Sequence, residues 1–194
     1  EFESAQLFAS AERHRNIAAV ARRRNARLSL KSERNSIPRF SAVITMSDQE
    51  TLRLKAAVPD HPRAYAVGNG ADESAFATEV PSPGHGRVLF AGTMVFPPNQ
   101  SASRWLARDV WPLVAARVPE ASLEIVGRAP SRAIRALGEL PGVSVTADAP
   151  TMTPHLSAAD VCVVPMLEGG GTRLKLLEAM AAGRAIVATS NGTD

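Results

Sequence analysis

Strand-like and helix-like segments alternate from Arg87 to Thr189, and that alternation predicts an α/β fold built on a parallel β-sheet. Two further observations support the prediction. The strand-like runs are short and apolar, as strands buried on both faces must be. Two of them run straight into glycine-bearing loops, FAGT at 90–93 and IVGR at 125–128. In an open parallel sheet those loops lie at the carboxyl ends of the strands, where ligands bind. A tight turn from strand to helix also needs glycine, so the glycines alone do not separate a ligand loop from a turn.

Taken in order, residues 1–35 are rich in Ala and Arg and hold no Gly or Pro, so a helix is expected throughout. Ile37–Pro38 ends it. Ser41–Ser47 (SAVITMS) reads as a buried strand. Ser47 or Asp48 is suited to cap a short helix, Gln49–Ala57. Arg63–Val67 is the next strand, and GNGAD (68–72) a turn. Gly84 and Gly86 within PSPGHG mark a break, so a domain boundary is expected between Asp72 and Gly86, dividing 1–72 from 73–194.

The second segment then reads as strand Arg87–Thr93, helix Ser101–Arg117, strand Leu123–Gly127, helix Ser131–Gly138 and strand Val143–Thr146. Helix Thr153–Ala158, strand Val161–Met166, helix Arg173–Ala182 and a buried strand Ala185–Thr189 follow. In the long helix Trp105, Leu106, Val110 and Leu113 are expected inward, with Pro112 kinking it. Right-handed crossovers between such strands cover both faces of the sheet.

Composition bounds the function. Hydrophobic residues make up 45% and charged ones 21%, an ordinary globular balance. No stretch approaches the ~20 apolar residues of a membrane span. The start, EFESAQLFAS, lacks the features of a signal peptide, and there is no initiator Met, so a longer parent chain is expected. The stop at SNGTD, just after a strand, points the same way, because a closing helix is expected there. Cys162 is the only cysteine and sits in an apolar run, which excludes an intrachain disulfide and predicts a buried thiol in a reducing, cytoplasmic compartment. Net charge is +3, yet residues 1–39 hold nine Lys or Arg against four acids. Phe2, Phe8 and Phe40 are not interleaved with those charges as a base-stacking platform requires, so no nucleic-acid partner is expected. A solvated helix face accounts for the charge, with peripheral contact to an anionic membrane as the alternative.

The stretch Pro165–Ser190 (PMLEGGGTRLKLLEAMAAGRAIVATS) carries the chemistry. Gly169, Gly170 and Gly171 permit close backbone approach, Thr172 is a fitting N-cap, and Gly183 stands where a C-cap glycine belongs. Leu174, Leu177, Glu178 and Ala181 share one helix face, so Glu178 is a carboxylate on or beside an apolar stripe. Arg173 and Lys175 fall in the first turn, where the helix dipole disfavours cations. A bound anion would reverse that preference. Solvation of both cations, with Lys175 pairing to Glu178, is the competing account.

From Ser41 onward the chain resembles the retaining group-1 glycosyltransferases, family 4-like enzymes with two Rossmann-like domains facing across a cleft (the GT-B fold). AVITMSDQE (42–50), VGNGAD (67–72), LFAGTMVFPPN (89–99) and VCVVPMLEGGGTRLKLLEAMAAGRAIVATS (161–190) carry the resemblance, the last most specifically. It implies that 1–72 is the remnant of an N-terminal acceptor domain. It likewise implies that 73–194 is most of a C-terminal domain binding a nucleoside-diphosphate sugar. Glu178 matches the carboxylate that holds the ribose hydroxyls. Gly170, Gly171 and Thr172 match the loop giving amides to sugar and diphosphate, Gly92 and Thr93 the opposing loop, and Gly127 with Ala147–Asp148 the nucleoside side.

The chain also departs from the family pattern. The acid upstream of Glu178 is Glu168, with nine intervening residues instead of seven, and Gly170 occupies the usual acid position. TMVFPPN carries no cation, which leaves Arg173 and Lys175 to neutralise the diphosphate. None of His14, His61, His85 or His155 matches the family's histidine motif. Asp-x-Asp and His/Cys ligand spacings are missing, so no metal and no other cofactor is expected. The expected activity is hexosyl transfer with retention to a glycan, lipid or small-molecule hydroxyl, as in polysaccharide biosynthesis, at the cytoplasm or inner membrane surface. The alternative is a nucleotide-binding module without catalysis. A dinucleotide-dependent oxidoreductase is disfavoured, because no G-x-G-x-x-G follows the first strand.

Overall fold

The computed structural model describes residues 17–59, 63–72, 84–168 and 174–192. The chain divides into two compact units, Glu1–Asn69 with Glu168–Thr172 and Gly70–Leu167 with Arg173–Asp194. Of the stretch between Asp72 and Gly86, residues 73–83 lie outside the described ones.

In the first unit, α1 (Ile17–Ser36) passes into a 3₁₀ turn at Ile37–Arg39, which Pro38 opens. The expected helix over residues 1–16 lies outside the described residues. Strands β1 (Val43–Thr45) and β2 (Ala64–Ala66) pair in parallel around α2 (Asp48–Ala57). Ser47 is the N-cap: its Oγ accepts from the Glu50 amide at 3.2 Å, while a Glu50 carboxylate oxygen accepts from the Met46 amide at 3.1 Å. The expectation of a seven-residue buried strand at Ser41–Ser47 is corrected. Among the described residues its sheet has two strands, pairing spans three residues, and Ile44 stays 62% exposed.

The second unit is a five-stranded parallel sheet in the order β5-β4-β3-β6-β7. Its strands are β3 (Arg87–Thr93), β4 (Ser122–Arg128), β5 (Val143–Ala147), β6 (Val161–Val164) and β7 (Ala185–Ala188). This is the parallel α/β sheet that the sequence predicts. The period of two puts neighbours on opposite faces. Phe90 and Ile125 join Trp111, Ile134 and Leu137 in one core, whereas Leu89 and Val126 join Leu156, Cys162 and Ala179 in the other. At the base, Asp160 fastens the start of β3, accepting from the Gly84 amide at 2.9 Å and the Arg87 amide at 2.8 Å.

Helix α3 (Pro97–Trp105) begins four residues before the expected Ser101, because a proline is favourable in a first helical turn. A π-helical turn, Leu106–Val110, joins it to α4 (Trp111–Ala115). The Trp111 amide donates to the Leu106 carbonyl, five residues back. That extra residue rotates the following face, so Trp111 is buried and Leu113 is 62% exposed, reversing the expected inward position of Leu113.

The remaining helices are α5 (Arg132–Arg135), continued as a 3₁₀ turn at Ala136–Glu139, then α6 (Thr153–Ala158) and α7 (Leu174–Ala181). Gly183 (φ 64) closes α7: its amide bonds Met180 O, and the Arg184 amide bonds Ala179 O, both at 3.0 Å. β7 has one partner strand among the described residues, so Val187 is 62% exposed and the expectation of a buried last strand is corrected. No described helix is long and apolar enough to cross a membrane.

Candidate functional site

The sheet changes direction at β3. Strands β4 and β5 lie to one side, β6 and β7 to the other. β3 and β6 pair only at Val88↔Val161 and Leu89↔Cys162, so beyond Leu89 their carboxyl-terminal halves part at a switch point. The loop leading into α3 and residues 165–168 after β6 leave the sheet at that end.

Lys175, in the first turn of α7, bridges the two sides. Its Nζ donates to Asn99 Oδ1 at 2.8 Å, lies 4.8 Å from the centre of the Phe90 ring and 3.8 Å from Met166 Sδ. An amide oxygen, a π face and a thioether each favour the cation without neutralising it. Asn99 is buried in α3, and its Nδ2 donates to the Thr93 carbonyl at 2.9 Å. A chain of contacts therefore runs from the end of β3 through Asn99 to Lys175.

Gly92 is fitted to this chain: a Cβ there would stand 2.9 Å from Asn99 Nδ2. At Gly127 a Cβ would stand 2.5 Å from Cγ of the buried Met94. Packing thus accounts for both glycines. Thr93 is exposed at the carboxyl end of β3.

Glu178 follows Lys175 by three residues and is half-buried. Burial pushes its carboxyl pKa above the ordinary value, and the nearby Lys175 charge pulls it partly back. The two side chains share the wall of a cleft of about 10 Å³ with Ala91, Met152 and Leu156. Glu168 is partly buried in the bend after β6. The exit of β6 is held by two side chains that sequence reasoning did not single out: Thr189 Oγ1 donates to the Met166 carbonyl, and Asn191 Nδ2 to the Leu167 carbonyl at 3.1 Å. Gly170, Gly171, Thr172 and Arg173 lie outside the described residues.

On the other flank, Ala129 (φ 52) and Asp148 (φ 54) both adopt the left-handed conformation, just past the carboxyl ends of β4 and β5. Asp148 Oδ1 accepts from the Ala129 amide at 2.6 Å, and the Asp148 amide donates to the Gly127 carbonyl at 2.8 Å. Each such residue costs about 1–3 kcal/mol, and such strain gathers where ligands bind. A larger cavity, about 290 Å³, lies toward the amino ends of the strands, and its His155 Nδ1 is 3.0 Å from Glu124 Oε1. Among the described residues no group of three or more His, Cys, Asp or Glu side chains is placed to hold a metal ion.

A held cation and a half-buried carboxylate thus flank the switch point, where open parallel sheets bind their ligands. The family model for group 1 glycosyl transferases matches residues 85–194, and the chain belongs to that family. Solved structures share the fold. TarM is 18% identical with a TM-score of 0.60, covering 82% of this chain and 32% of its own. Anabaena HepE, solved with UDP and glucose, is 18% identical with a TM-score of 0.61, covering 85% and 49%. The UDP-forming trehalose-phosphate synthase of Burkholderia xenovorans is 10% identical with a TM-score of 0.59, covering 90% and 51%. The chain thus spans a third to a half of those proteins' lengths. No curated protein sequence matches it.

Proposed function

We propose that the complete protein is a retaining, family 4-like glycosyltransferase of the hexosyltransferase type. It moves a sugar from a nucleoside diphosphate to a hydroxyl of a glycan, lipid or small-molecule acceptor, as in polysaccharide biosynthesis. The observation that carries this reading is Lys175, held at the switch point by Asn99 and Phe90. As the anomeric C–O bond breaks, its electron pair leaves on the diphosphate. The acceptor oxygen forms the new bond on the same face and gives up its proton to the departing diphosphate oxygen. Lys175 and Arg173, with the amides of Gly170, Gly171 and Thr172, stabilise the leaving charge without a metal or other cofactor. Glu178 grips the ribose hydroxyls, and Glu168 takes the sugar-facing role of the displaced acid. Thr93, beside Gly92 and Gly127, lines the opposing wall.

On this reading 1–72 is the remnant of the acceptor domain and 73–194 the donor domain. The protein works on the cytoplasmic side, with α1 toward the inner membrane surface. HepE was solved with UDP and glucose, and this agrees with a nucleotide-sugar donor. Because the chain spans no more than about half of its structural relatives, a second reading holds that it binds nucleotide without catalysing transfer.

Calorimetry with UDP, GDP, ADP and their sugars, with NAD as the control, tests the proposal. Binding of one nucleoside diphosphate, weakened in Lys175→Met, is expected. Preference for NAD, or no binding to any of the panel, overturns it. Sugar transfer by the full-length parent separates the enzyme from the binding module.

A further inference from the structure

Helix α1 segregates its charges. Arg23, Arg24, Arg27, Lys31 and Arg34 are all exposed. At 3.6 residues per turn they fall within about 100° of arc. Val20, 69% exposed, lies in the middle of that arc. Ala26, with no exposed surface, marks the buried side, about a third of a turn away. Glu33, the one acid of the helix, projects on that side and is partly buried. Among the described residues no ion pair involves any of the five cations.

We infer that this face of α1 docks on an anionic phospholipid surface. The inference rests on the membrane-side reading above and makes it specific to one stripe of residues. Five cations on one side of a rigid rod meet a plane of phosphates together, whereas five scattered cations would not. Val20 lies where the rod would touch that plane, so the stripe offers an apolar contact as well as charge. Nucleic acid fits less well, because no aromatic side chain stands among these charges to stack on a base.

The test is co-sedimentation of the whole chain with two vesicle types, phosphatidylcholine alone and phosphatidylcholine with about a third phosphatidylglycerol. Binding is expected to the acidic vesicles only at about 0.1 M salt, and to be lost near 1 M. Lys31→Ala should weaken it about fivefold, the effect of one charge at such a surface. The triple variant Arg27→Glu, Lys31→Glu, Arg34→Glu should abolish it while leaving the melting temperature and nucleotide binding intact. Equal binding to both vesicle types, retention by the triple variant, or binding to a DNA duplex in place of the vesicles each overturns the inference. Vesicle binding is read without nucleotide, so its failure leaves the glycosyltransferase reading standing, and the converse also holds.

Discussion

Lys175 and Asn99 meet at 2.8 Å although 76 residues separate them in the chain. The lysine thereby enters the first turn of a helix, a position its charge disfavours, with an amide oxygen to hold it. Asn99 is fixed in turn by the carbonyl that ends β3, so the ammonium is positioned by the sheet itself.

The first prediction concerns that pair. Lys175→Met should weaken nucleoside diphosphate binding roughly ten- to a hundredfold, the equivalent of a hydrogen bond to a charged group. Asn99→Asp should weaken it comparably, because it places a carboxylate on the cation, and should also lower the melting temperature, because the amide donor to the Thr93 carbonyl is lost. Calorimetry and thermal melts on both variants check this. Undiminished affinity in Asn99→Asp would detach the lysine from nucleotide binding.

The second concerns Gly127. A methyl group there meets Met94 Cγ, which is buried and near its own backbone, so the neighbour has little freedom to yield. Gly127→Ala should cost about 1–3 kcal/mol by overpacking. Met94→Ala, made in the same background, should recover part of that loss, as a double-mutant cycle by urea unfolding will read.

The third follows from Glu178. Its pKa is raised on folding, first by burial, so its neutral form is the one the fold favours. That contribution is fully present below the unfolded carboxylate pKa and is lost as pH rises through the higher folded value. Glu178→Gln should therefore gain stability over wild type at pH values above the folded pKa and little at acid pH. Equal differences across the range would contradict the raised pKa. Nucleotide affinity should fall in the same variant.

Fourth, Cys162 should be silent toward thiol reagents in the native protein. Burial pushes its thiol up to about 11 despite the nearby Arg184 charge, and only 5% of the residue is exposed. Labelling with an aromatic disulfide at mildly alkaline pH should require unfolding; rapid native labelling would place the thiol elsewhere.

The fifth prediction distinguishes the two tryptophans. Trp111 is buried, with Nε1 donating to the Pro141 carbonyl at 3.1 Å, whereas Trp105 is only partly buried. Trp111→Ala should cost about 3–5 kcal/mol, in the range of large core truncations. Trp111→Phe should remove the bluer part of the emission spectrum, and Trp105→Phe the redder part.

The sheet was legible because its strands are short apolar runs between clear breakers. β3 and α6 fall where the residues predict them, and Gly183 caps α7 as its position implies. Lys175 and Glu178 were legible as chemical oddities, a cation where the dipole opposes it and an acid beside an apolar stripe. Asn99 was not: a polar residue in a proline-bounded loop carries no signal that a lysine 76 residues away will need it. Ala129 gave no warning either, since left-handed turns are read first from Gly, and Asp148 was marked only by the family resemblance. Leu113 was misplaced because periodic reasoning assumes 3.6 residues per turn, and Leu106–Val110 does not obey it.

That irregular turn bears on how this helix tolerates change in length. Removing one residue between Leu106 and Val110 would restore ordinary winding without shortening the chain by as much as a full coil. Because five residues there fill the turn that four fill elsewhere, every side chain from Trp111 to Ala115 would keep its orientation toward the sheet. A deletion in the regular helix on either side acts instead as a rotation, turning the indole by about 100° relative to the sheet.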